Sequence, residues 1–145
     1  MLDLIIKNGL CYIDKDLKDQ DIAIKDGKII KIGKIDSEAK ETFDAKGLTV
    51  LPGCIDTQTH FREPGSTDTE DLHSGSRAAI VGGITSVFEM PNTNPPTSTK
   101  AEFQKKLDLA KNRMYCNYAF YFGATADNAS VLADLVNLEG CCGIK

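Results

Sequence analysis

The chain has 145 residues, 41% of them hydrophobic and 26% charged, with a formal net charge of −4. An acidic chain of this balance reads as an ordinary globular protein, with no basic face for nucleic acid or anionic lipid. Its longest apolar runs, such as Ile29-Ile30, fall far short of the roughly 20 residues that cross a bilayer. Met1-Leu2-Asp3 opens without the basic and then apolar pattern of a signal peptide, so a cytoplasmic location is expected. Cys11, Cys54, Cys116, Cys141 and Cys142 are odd in number and include no C-x-x-C pair. Reduced, mostly buried thiols are therefore expected, rather than a disulfide framework or a zinc knuckle.

In chain order, residues 2–52 read as β. Leu2 to Ile6 is a short apolar run, and Asp21-Ile22-Ala23-Ile24 alternates as a half-buried strand does. Asp26-Gly27 separates it from Lys28 to Gly33, which is a hairpin signal because both central residues of a type I′ turn need positive φ. Shorter β runs follow at Thr42 to Ala45 and Leu48 to Leu51. So small a segment buries little core alone.

After Pro52-Gly53 the rhythm changes. Cys54 to Phe61 reads as a strand, Thr69 to Val81 as a helix stopped by Gly82-Gly83, and Ile84 to Met90 as a second strand. Thr99 and Glu102 have capping-box spacing ahead of a helix running to about Arg113. Tyr115 to Phe122 reads as a third strand, Asp127 to Leu138 as a third helix, and Gly140 to Lys145 as a fourth strand. Strand and helix in alternation mean parallel pairing with right-handed crossovers. An open doubly wound sheet and part of a closed barrel of about 250 residues both fit. No G-x-G-x-x-G or P-loop supports a nucleotide site.

Chemistry in parallel barrels gathers at the C-terminal strand ends. Asp56, Gln58 and His60 alternate along one strand, so they are expected on one face. Taken alone, His60 is more often a hydrogen-bonded or exposed histidine than a ligand, Arg62 an exposed loop residue, and Asn92 a turn residue. His73, within the first helix, reads as a surface residue.

Asp56-Thr57-Gln58-Thr59-His60-Phe61-Arg62-Glu63-Pro64-Gly65 resembles the D-x-H-x-H-x-R-E-P-G signature of dihydroorotases, and Glu89-Met90-Pro91-Asn92-Thr93 resembles their M-P-N-T signature. Leu51-Pro52-Gly53-Cys54-Ile55-Asp56 resembles the family's entry into its barrel. The resemblance implies an α/β fold: a small N-terminal β-sandwich segment over 1–52, then over 53–145 a partial (β/α)8 TIM-like barrel of three βα units and the start of a fourth. It implies a zinc-dependent cyclic amidohydrolase, holding one or two ions in the full-length protein. The implied reaction interconverts N-carbamoyl-L-aspartate and dihydroorotate in pyrimidine biosynthesis.

By the same resemblance His60 is a metal ligand, and Arg62 and Asn92 hold the substrate carboxylate. Gly143-Ile144-Lys145 is similar to the strand end whose carbamylated lysine bridges two metals. The proton-shuttle aspartate and further histidines are expected beyond residue 145. Gln58 departs from the signature, because it stands where the first histidine of H-x-H belongs and a carboxamide is a weaker zinc ligand than imidazole. The sequence leaves open a catalytically inactive dihydroorotase-like partner of aspartate transcarbamoylase, and another cyclic amidohydrolase of allantoinase or hydantoinase type. A small-molecule substrate and homo-oligomerisation are expected, and the fragment alone is expected to be inactive.

Overall fold

The computed structural model describes residues 1–145. Its contacts divide the chain into two compact units, Met1–Pro52 and Gly53–Lys145.

The first unit is a single five-stranded mixed sheet built from β1 (Leu2–Ile13), β2 (Asp16–Lys25), β3 (Lys28–Gly33), β4 (Ala39–Asp44) and β5 (Thr49–Val50). β1 is central and twice as long as Leu2 to Ile6. It pairs antiparallel with β2 on one side, and parallel with β4 and then β5 on the other. Asn8-Gly9 forms a bulge within β1. The ladder shifts between Ile6 and Gly9, Asn8 takes φ 60°, its backbone N–H donates to Asp21 Oδ1 and its side-chain amide donates to Asp44 Oδ1. A side chain at position 9 would lie 2.7 Å from Val50 Cγ2, so only glycine fits. Asp26 and Gly27, with φ of 50° and 70°, make the expected turn between β2 and β3. Ile5, Ala23 and Ile35 form the small core. A second sheet, which a sandwich needs, is not supplied by residues 1–52.

The second unit is a four-stranded parallel sheet in sequence order: β6 (Cys54–Thr59), β7 (Ile84–Glu89), β8 (Asn117–Phe122) and β9 (Cys141–Ile144). The crossovers are α1 (Leu72–Val81), α2 (Lys100–Ala110), and a 3-10 turn Ala129–Val131 running into α3 (Leu132–Leu135). Val87, Phe120 and Phe122 from the strands pack with Leu72, Phe103, Ala110 and Leu135 in the core.

Three helix boundaries differ from expectation. α1 starts at Leu72 rather than Thr69, because Asp71 is the N-cap and exchanges bonds with Ser74. α2 ends at Ala110 rather than Arg113. Thr99 caps it by accepting from Glu102 N–H, and no reciprocal Glu102 bond is made. The third helix is one α-turn, because Asn128 spends its side chain on Ser98, Gly123 and Thr125 in place of capping a longer helix. All five cysteines are free, but only Cys11 and Cys116 are buried, fewer than expected. No helix is long and apolar enough to cross a membrane.

Candidate functional site

The four parallel strands end side by side, and each sequence-derived candidate follows or closes one of these ends. Gln58 lies at the end of β6, with His60 and Arg62 just beyond it. Asn92 is three residues past β7, and Lys145 is the residue after β9. His60 lies one residue past the strand, which stops at Thr59 rather than Phe61.

His60 and Asn92 are brought together. Imidazole Nδ1 lies 2.8 Å from Asn92 Oδ1, so the ring donates through Nδ1 and keeps the Nε2 lone pair free. The Asn92 N–H₂ group is left as a donor. Arg62 adopts φ 46°, which tips its exposed side chain out of the strand direction, and it makes no hydrogen bond with His60 or Asn92. Gln58 is also exposed and takes part only through its backbone N–H, donated to Asp56 Oδ1 at 2.9 Å. The ladder shifts between Asp56 and Thr59, so Asp56, Gln58 and His60 do not line a regular strand face as expected. Lys145 hydrogen-bonds through its backbone, N–H to Phe122 O and carbonyl to Ala124 N–H, and its side chain is exposed.

A metal centre is not complete in these residues. No three His, Cys, Asp or Glu side chains converge. His60 offers one imidazole nitrogen, whereas zinc takes about four donors.

Beneath the strand ends lies a polar network that sequence reasoning missed. Glu89, 1% exposed, accepts from Thr59 Oγ1 and from Phe61 N–H, both at 3.0 Å. Lys106, 0% exposed, lies 3.4 Å from Glu89 and donates to Met90 O at 2.9 Å. Its ammonium also sits 5.1 Å from the Phe120 ring centre. Burial pushes the Lys106 pKa down, and the Glu89 carboxylate opposes that shift. The pair had a sequence signal: Glu89 follows Val87 and Phe88 at the end of β7, and Lys106 falls on the Phe103 to Ala110 stripe that α2 buries.

The R-E-P-G and M-P-N-T segments are also braced from within. Glu63 is buried and takes both Arg113 guanidinium nitrogens, at 2.8 and 3.1 Å, with Leu72 N–H at 2.9 Å. Pro64 O accepts Asn94 N–H, and a side chain at Gly65 would meet Asn94 at 2.8 Å. The Pro91 carbonyl accepts Thr97 N–H. Glu63, Pro64 and Gly65 therefore hold one loop to another, and Pro91 braces its own loop.

The amidohydrolase family model matches residues 49–136. An allantoinase from Escherichia coli O1:K1 is 42% identical over 144 residues, 99% of this chain and 32% of the relative. The L-hydantoinase (dihydropyrimidinase) of Arthrobacter aurescens superposes with a TM-score of 0.89 at 33% identity, over 99% of this chain and 32% of that one. The D-hydantoinase of Bacillus sp. AR9 gives a TM-score of 0.82 at 27% identity, over 98% of this chain and 32% of that one. The chain thus spans about a third of the length of the relatives it matches. With its parallel strand ends and the match running through them, the chain belongs to the amidohydrolase family.

Proposed function

We propose that this chain is the N-terminal part of a cyclic amidohydrolase that opens a five-membered ureide ring, of the kind found in hydantoin and allantoin. The observation that carries this reading is the 42% identity to an allantoinase over 99% of the chain. Four sequential parallel strands are consistent with the opening half of a (β/α)8 barrel whose remaining strands follow. In the ring opening, water adds to an amide carbonyl, the ring C–N bond breaks, a carboxylate forms, and the nitrogen leaves with the proton.

His60 is the one strong nitrogen donor these strand ends offer, with its bare Nε2 held open by the Asn92 bond. If zinc is bound, Lys145 and, more weakly, Gln58 are the other candidate ligands here, and the rest come from outside residues 1–145. Asn92, through its free N–H₂, and Arg62 are suited to hold a carbonyl or carboxylate of the substrate.

Dihydroorotate is the second reading. It is favoured by Arg62 and Asn92, which suit its ring carboxylate, and by the R-E-P-G and M-P-N-T resemblance. That resemblance loses discriminating power because Glu63, Pro64, Gly65 and Pro91 have structural work unrelated to substrate choice. The test is ring-opening kinetics of the full-length protein on allantoin, a 5-substituted hydantoin and dihydroorotate. A kcat/KM on either ureide at least about ten-fold above dihydroorotate, about 1.4 kcal/mol in transition-state binding, is expected. The opposite ranking would sink the ureide reading in favour of the dihydroorotase one.

A further inference from the structure

We propose that the buried pair Glu89–Lys106 consists of positioning residues that aim His60 at the strand-end site and hold it against Asn92. This rests on the reading of the strand ends as the reaction site.

Glu89 Oε2 grips the chain on both sides of residue 60, through Thr59 Oγ1 and Phe61 N–H. Thr59 and Phe61 are buried. Successive side chains of an extended chain point to opposite faces. Drawing residues 59 and 61 inward therefore turns His60 outward. Lys106 holds the other partner. It ties the carbonyl of Met90, two residues before Asn92, to the same carboxylate. One ion pair thus sets the register of two loops whose ladder bonds are already irregular past Asp56. Stability alone is a poor reason to keep such a pair, since well-packed apolar replacements of buried ion pairs are often neutral or stabilising.

In the full-length protein, ¹⁵N-histidine labelling, with His60 and His73 assigned by substituting each in turn, reads His60 beside an internal control. His73 sits on α1, edge-on to Tyr115 and bonded to its hydroxyl, away from Glu89 contacts. In the unmodified full-length protein, freed of metal, His60 is expected as one tautomer, with Nδ1 donating to Asn92 and widely separated nitrogen shifts. In Glu89→Met with Lys106→Met, the fold is expected to survive while that separation collapses toward a freely exchanging imidazole. Glu89→Gln with Lys106→Met restores a carbonyl acceptor for Phe61 N–H and should restore the tautomer. His73 should not move in either variant. The proposal is overturned if His60 keeps its tautomer in the double methionine variant. It is equally overturned if both histidines change together in both variants, which would make the pair a general stabiliser. Neither readout depends on turnover, so loss of the ureide reading would leave this result standing.

Discussion

His60 and Asn92 meet because β6 and β7 are neighbours that end at the same level, and both residues follow those ends closely. They are legible in the sequence because each lies in a short motif after an apolar strand. Their partnership is not legible, since it depends on the register of two strands about thirty residues apart. Glu89 and Lys106 escape for a different reason: burial of a charge is decided by what lies opposite, and only the packed sheet and helix reveal that each faces the other. Gln58 is where local chemistry most limits the site. Its amide oxygen is a poor substitute for imidazole, and it makes no contact that commits it elsewhere. Gln58→His in the full-length protein is expected to raise the zinc retained after dialysis, measured by elemental analysis. Equal zinc in both proteins would mean that position 58 has no part in holding metal.

At the scale of elements, strands and helices are readable from alternation and capping residues, whereas their ends are set by side-chain bonds. α1 illustrates this. Asp71 accepts from Ser74 N–H at 2.6 Å and Ser74 Oγ at 2.7 Å, which starts the helix at Leu72 and not at Thr69 as expected. Those two bonds, the backbone one first, hold the Asp71 carboxyl below its ordinary 3.8. A carboxyl with a lowered folded value binds protons less readily in the folded state than in the unfolded one. The stabilisation it gives is therefore present above pH 3.8 and lost as pH falls through the lower folded value. Asp71→Asn is expected to flatten the acid dependence of unfolding below pH 4, followed by circular dichroism, because the amide cannot be protonated there. An unchanged acid slope would show that the cap does not report on stability. The bulge in β1 and the one-turn α3 have no such local signature. Both arise from side chains, Asn8 and Asn128, bonding residues up to 36 and 30 positions away.

On the scale of the whole chain, the α/β rhythm after Pro52-Gly53 and the motif order suffice to reach the superfamily. They do not separate its members, because Glu63, Pro64, Gly65 and Pro91 of the signatures brace loops while Arg62 and Asn92 lie by the strand ends. The partial sheet also leaves apolar surface uncovered within the second unit. Ile55 and Val81 are 59% and 84% exposed, and β6 and β9 each pair on one side only. That surface is consistent with further strands and helices completing the fold, as the one-third coverage of the relatives suggests. The ends of these parallel strands are proposed to carry the reaction, with His60 as their principal donor. The most direct measurement is ureide ring-opening kcat/KM of full-length protein carrying His60→Ala, set beside His73→Ala. His60→Ala is expected to lose at least about 100-fold, the upper scale for disturbing a ligand's supporting shell, with His73→Ala unchanged. Equal activity in the two variants would contradict a strand-end site built on His60.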